Sequence, residues 1–368
     1  MILVVLAGLA LIVAGGAFLV SASGVVPIAA SSGHWPVTKW FLHFSMKRSI
    51  STHSWGIDVP DDLDDEKRIL RGAGHYRTGC FECHGGPGAR MPVVAAGMTP
   101  QPPYLPPRME QWEDAELFTI VKDGIKFAGM PAWPTPVRDD EVWDVVAFLR
   151  ELPGMDAAEY GELVDAPGET VGTQTGEISA VGARLAEAHC ARCHGDDGLG
   201  RGRAWPVLAG QRKDYLARQL RAYREDGRPS GMMEPIARNL SDEAIERLAE
   251  HYANLPADVS SGDGDVGMVE RGRMIAEQGI AARKLPSCQD CHRPDVNTEY
   301  PMLAGQAGWY LVQQLKLFAE GKRGGSSAAH LMDATAPQLQ PEEMRDVAAY
   351  FEQLPPTVDG RDESTPAP

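Results

Sequence analysis

Cys80-Phe81-Glu82-Cys83-His84, Cys190-Ala191-Arg192-Cys193-His194 and Cys288-Gln289-Asp290-Cys291-His292 account for all six cysteines of the 368-residue chain. Two thiols spaced in this way meet the two vinyl groups of a haem in thioether bonds. The histidine that follows stands where a proximal iron ligand is needed. A zinc site would pair Cys-x-x-Cys units in even numbers, and a redox dithiol has no use for that histidine. The spacing therefore predicts three covalently bound haem c groups, attached at Cys80 and Cys83, Cys190 and Cys193, and Cys288 and Cys291, with His84, His194 and His292 as iron ligands.

A sixth ligand should recur at one position downstream of each motif. Met130, Met233 and Met332 each lie nine residues before the Asp or Pro that opens a helical stretch (Asp139, Asp242, Pro341) and 23 before a closing Pro (Pro153, Pro256, Pro355). A lone Met is usually core filler, but three in one register predict axial thioethers. The register selects Met233 over Met232 and Met332 over His330, and leaves Met91, Met98, Met109 and Met302 as packing or loop residues.

Between those landmarks the apolar residues fall in columns: Val142, Ile245 and Met344; Val145, Leu248 and Val347; Val146, Ala249 and Ala348; Leu149, Tyr252 and Phe351; Leu152, Leu255 and Leu354. The spacing is the stripe of an amphipathic helix. Acids or Pro in the first turn and Pro after the last give its bounds. Gly72 and Gly182 sit eight residues before their first Cys, at a point where a small residue lets two helices cross closely. Gly272 sits sixteen before Cys288, which implies an insertion in the third repeat. Pro103-Tyr104-Leu105, Pro206-Val207-Leu208 and Pro301-Met302-Leu303 follow the three motifs. A carbonyl near such a Pro would accept the proximal His Nδ1–H and fix the ring.

Ile2 to Val20 is nearly continuous Leu, Val, Ile, Ala and Gly, with no charge before Gly33. That is long enough to span a bilayer, and it lacks the basic start of a cleaved signal peptide. His34 to Arg48 interleaves aromatic and basic side chains, which fits either an amphipathic helix at headgroup level or a helix packed on the first domain or on a partner's membrane helices. The balance of 51 acids to 35 bases, net charge -16, excludes a nucleic-acid partner. Arg and Lys concentrate between Arg201 and Arg228, and acids between Asp58 and Glu66. This asymmetry would steer partners of opposite charge.

These motifs resemble class I c-type cytochromes over most of residues 66–356. The second and third repeats are similar to the two lobes of the dihaem cytochrome c-four type through Cys-x-x-Cys-His, Pro-x-Leu-Ala-Gly-Gln and a distal Met. The first is similar to single-haem domains with a Gly-Met-Pro loop, here Gly129-Met130-Pro131. The N-terminal anchor and the shorter motif set of the first domain differ from the trihaem cytochrome subunits of membrane alcohol dehydrogenases. The resemblance implies an all-α protein, three tandem class I cytochrome c domains after an N-terminal transmembrane helix. The expected order is anchor 1–30, interfacial segment 31–60, domain one 61–155, linker 156–178, domain two 179–257, linker 258–266, domain three 267–356 and a disordered tail 357–368. The long linker would let domain one move against a compact pair of domains two and three.

Filled sixth positions imply an electron carrier rather than an enzyme. It would be anchored in the bacterial inner membrane with its haem domains in the periplasm. It would relay electrons from a dehydrogenase or quinol-oxidising complex to a terminal oxidase or soluble cytochrome, alone or as a subunit of a respiratory complex. The rival reading is a peroxidase-like multihaem enzyme with one open or ligand-switching iron, but no His recurs at the Met register.

Overall fold

The structure, a computed structural model, describes residues 2–164, 177–257, 264–293, 295–296, 298–325 and 328–355. The expected tail 357–368 and most of both linkers lie outside them. All regular structure among the described residues is helical. Helix α1 is Ile2–Ala22 and α2 is Pro36–His53. The first domain holds α3 Glu66–His75, α4 Asp114–Asp123, α5 Asp139–Glu151 and α6 Ala157–Val164. The second holds α7 Glu177–His189, α8 Lys213–Arg224, the short α9 Met233–Ala237 and α10 Asp242–Ala253. The third holds α11 Val266–Gln278, α12 Gly308–Ala319, α13 Ala329–Thr335 and α14 Pro341–Gln353.

Helices α5, α10 and α14 begin at Asp139, Asp242 and Pro341, where the sequence landmarks put them. Two of them carry side-chain caps. The Ser241 hydroxyl accepts from the Ala244 N–H at 3.1 Å, and Gln340 and Glu343 form a reciprocal capping box. In α5 the apolar stripe is wholly buried, from Val142 to Leu149 and on to Leu152. Each such side chain contributes about 1.5–3 kcal/mol over leaving it in water. Ile245, Leu248, Ala249 and Tyr252 do the same in α10, and Met344, Val347, Ala348 and Phe351 in α14.

In each domain the helix after the distal methionine (α5, α10 or α14) crosses the first (α3, α7 or α11) at a glycine. A Cβ on Gly72 would lie 1.9 Å from the Asp144 carbonyl oxygen, one on Gly182 2.7 Å from that of Arg247, and one on Gly272 1.9 Å from that of Asp346. Beside two of these crossings a buried carboxylate is tied to the partner helix. Asp144 is paired with Arg71 at 2.6 Å and Arg68 at 3.1 Å, and Asp346 with Arg271 at 2.7 Å. The extra residues after Gly272 form a small excursion closed by an Ile280–Leu285 bridge and pinned to α14 by Arg283 on Glu343.

Two expectations change. The linker segment holds α6, whose Tyr160 and Val164 are buried in the first domain's core. Domain one is also seated on both other domains: Arg71 stacks over the Trp309 ring at 4.1 Å, Arg138 donates to the Pro229 carbonyl, and Arg201 reaches the Glu162 and Leu163 carbonyls. Linker composition reports the tether and says nothing of side chains that dock the domains across it.

Candidate haem sites

In all three motifs the histidine closes a short helical turn that begins just after the first cysteine, and its ring is fixed in the same way. Nδ1 of His84 lies 2.9 Å from the Pro103 carbonyl oxygen, that of His194 3.0 Å from Pro206, and that of His292 2.9 Å from Pro301. A carbonyl only accepts, so the proton sits on Nδ1 and the Nε2 lone pair is left for a metal. Burial pulls all three imidazoles below their ordinary range, partly opposed by those same bonds, and the rings are therefore neutral at pH 7.

A cavity of about 710 Å³ takes in the second and third sites together. Cys190, Cys193, His194 and Met233 line one part of it, and Cys288, Cys291, His292 and Met332 the other. Met232 also borders it but packs against the core of the first domain, and His330 is exposed outside it. In the first domain Cys83 is exposed and Cys80 half-buried. The half-buried Met130 is held by a backbone bridge to Ile125, in a turn made by Gly129 at φ 73°. His84 and Met130 are not among the residues lining the shared cavity.

Deep in this cavity stand two buried guanidinium groups that sequence reading did not single out. Arg228 donates to Gln219 at 2.8 Å, Tyr310 at 2.8 Å and Gln314 at 3.0 Å. Arg323 donates to Gln314, to Gln219 at 3.1 Å and to Tyr215 at 3.5 Å. Tyr215, Gln219 and Arg228 correspond in register to Tyr310, Gln314 and Arg323, so the cluster is pseudo-symmetric across the domain boundary. Neither Arg has a carboxylate partner among the described residues. Burial and the neighbouring Arg228 charge push Arg323 below its ordinary value. A buried dication without anions is costly, and the carboxylates of haem propionates would supply the missing charge. Covalent haem c thus fits on three grounds: thiol spacing, histidine tautomer and buried positive charge.

The two Leu-Ala-Gly-Gln segments serve as a reciprocal clasp. The Gln211 side chain donates to the Met302 carbonyl at 2.9 Å and accepts from its N–H at 3.0 Å. Gln306 does the same with Val207, at 3.0 and 2.8 Å. Each clasped residue directly follows the proline whose carbonyl orients the histidine. Much of the basic run in domain two is also spent on docking: Arg203 on Glu352, Arg212 on the Tyr300 and Arg293 carbonyls, Arg218 on the Glu299 carbonyl. The expected steering patch is therefore largely a domain interface.

Comparison with known proteins agrees with this geometry. Residues 67–149 and 179–251 match the family model for cytochrome c oxidase, cbb3-type, subunit III, and residues 269–355 match the model for cytochrome c. The chain is 34% identical to cytochrome c-552 of Acidithiobacillus ferridurans, covering 49% of this chain and 79% of that one. It is 35% identical to the thiosulfate dehydrogenase electron acceptor of Stutzerimonas stutzeri (46% and 81%) and 29% identical to cytochrome c4 of Pseudomonas aeruginosa (48% and 88%). The chain belongs to the class I c-type cytochromes of the c4 type and is a multihaem electron-transfer cytochrome.

Proposed function

We propose that the chain is a membrane-anchored trihaem relay. It takes single electrons from a dehydrogenase or quinol-oxidising complex and passes them to a terminal oxidase or soluble cytochrome, without bond-making chemistry of its own. The observation that carries this reading is the threefold repetition of one ligand geometry, with a Nδ1-fixed neutral histidine after each cysteine pair. Bound haem c supplies a one-electron ferric/ferrous couple, with a potential raised by thioether ligation. The cysteines would hold it covalently, and His84, His194 and His292 with Met130, Met233 and Met332 would be its iron ligands, leaving no coordination position for a small molecule. Arg228 and Arg323 balance carboxylate charge between the second and third sites.

The anchor reading rests on α1, which is long and apolar enough to cross a membrane and is nowhere buried. Beyond it α2 exposes Val37, Trp40, Phe41 and Phe44 as one stripe, while its far end is packed on domain one through buried Ile50 and through Lys47 over the Trp112 ring at 5.3 Å. That arrangement supports the reading that domain one lies against a bilayer, on the periplasmic side where haem c is attached. A relative named as an electron acceptor for thiosulfate dehydrogenase supports a dehydrogenase-type donor.

The test is to add the purified protein to thiosulfate with excess ferricyanide as electron acceptor, or to hydrogen peroxide with excess ascorbate as electron donor, and to compare the rates with those of the same mixtures without protein. The relay reading expects at most stoichiometric one-electron oxidation or reduction of the haems and no turnover. Sustained turnover of either compound would make the chain an enzyme.

A further inference from the structure

The first domain grips the loop that carries the distal methionine of the second. Glu141, in the first turn of α5, is 4% exposed, and the segment it meets, Pro229-Ser230-Gly231, lies just ahead of Met233. One carboxylate oxygen accepts from the Ser230 hydroxyl at 2.6 Å and the other from the Gly231 N–H at 2.6 Å. Arg138 pairs with the same carboxylate at 2.9 Å and donates to the Pro229 carbonyl at 2.9 Å, so three consecutive residues of domain two are held by domain one.

Ser230 passes this hold on. With its proton committed to Glu141, the hydroxyl oxygen accepts from the Met233 N–H at 3.0 Å, at the first residue of the short helix α9. The loop has no room to shift toward domain one, since a Cβ on Gly231 would lie 2.1 Å from the Trp133 indole nitrogen. Neither other domain has this device: the register position of Ser230 is Phe127 in the first and Ala329 in the third.

We propose that Glu141 is a positioning residue for the second haem site. By fixing Ser230 and Gly231 it holds Met233 in place and makes the potential of that iron depend on the docking of domain one. The inference rests on the reading of Met233 as an axial ligand. It extends that reading, because the sixth ligand of one domain is then under the control of another.

The test compares full-length wild type with Glu141→Gln, Glu141→Ala and Ser230→Ala by spectroelectrochemical titration, by the ferric methionine–iron band in the far red, and by carbon monoxide binding. Wild type should show three methionine-ligated haems that exclude carbon monoxide. Each variant should shift one of the three Nernst waves and leave two in place, and Glu141→Ala should let carbon monoxide reach about a third of the haem. Ser230→Ala removes the two hydroxyl bonds and no buried charge, so it keeps the test open should Glu141→Ala fail to fold. Three unmoved waves in Glu141→Gln and Ser230→Ala, or three that move together, would overturn the proposal. A wild-type second haem that already lacks the methionine band would instead overturn the ligand assignment and, with it, the proposal.

Discussion

Gly72→Ala tests the helix crossing on which the first domain is built. The new Cβ would lie 1.9 Å from the Asp144 carbonyl oxygen, where an ordinary C···O contact is ~3.3 Å. Helices α3 and α5 must therefore part by about 1.4 Å, and a gap of that size forfeits much of the dispersion energy along the seam. Because Asp144 also holds Arg71 and Arg68, the displacement strains a buried ion network as well. Overpacking in a dense core costs about 1–3 kcal/mol, and the obstacle here is backbone, which places the cost near the top of that range. Alanine returns ~1 kcal/mol through helix propensity. The net loss is about 2 kcal/mol, or a Tm lower by roughly 8–16 °C for a domain of this size. Gly182→Ala, with 2.7 Å to its nearest carbonyl, should lose clearly less. Thermal unfolding followed by circular dichroism and by the haem absorption of each variant measures the difference. A Gly72→Ala protein as stable as wild type, or more stable, would refute the close crossing.

Three further outcomes are expected. Burial lowers the His75 pKa to about 4, so between pH 6.5 and pH 4 the unfolded chain takes up a proton that the folded chain refuses; stability falls with falling pH, by about 3 kcal/mol in total. Denaturant titrations of His75→Gln and wild type at pH 7 and pH 4 should show that this increment is missing from the variant. Arg228→Met and Arg323→Met each remove a cation beside the second and third sites. The ferric state then gains stability, and spectroelectrochemistry should show those two midpoint potentials falling while the first stays. Gln211→Leu breaks two bonds between domains and strands the half-buried N–H and carbonyl of Met302. Chemical denaturation should show domains two and three weakened by about 2 kcal/mol.

Much of the fold could be read from spacing because it rests on local physics. The starts of α5, α10 and α14 follow from acids or proline at the first turn, and their buried faces from the apolar columns. Gly72, Gly182 and Gly272 lie at the crossings because only a missing Cβ permits the approach. The histidine–proline carbonyl bonds were legible because a Pro-x-Leu recurs downstream of each motif, although the interval from histidine to proline shortens from 19 to 12 to 9 residues along the chain. Contacts between domains left no such trace. Arg203, Arg212 and Arg218 read as a charged surface because a sequence states a charge and not its partner. Gln211 and Gln306 stood out as a repeated motif without a role, since their partners lie in the opposite domain. The helix α6 was hidden in an acidic segment whose one signal was Tyr160 and Val164, four residues apart on a single face.

The most direct measurement is the optical spectrum of the purified, dithionite-reduced protein with and without carbon monoxide, calibrated for covalent haem per chain. The account predicts three c-type haems whose spectrum carbon monoxide leaves unchanged. Fewer than three haems would contradict the attachment sites, and ready carbon monoxide binding at any of them would contradict its methionine ligand and the reading as a pure carrier.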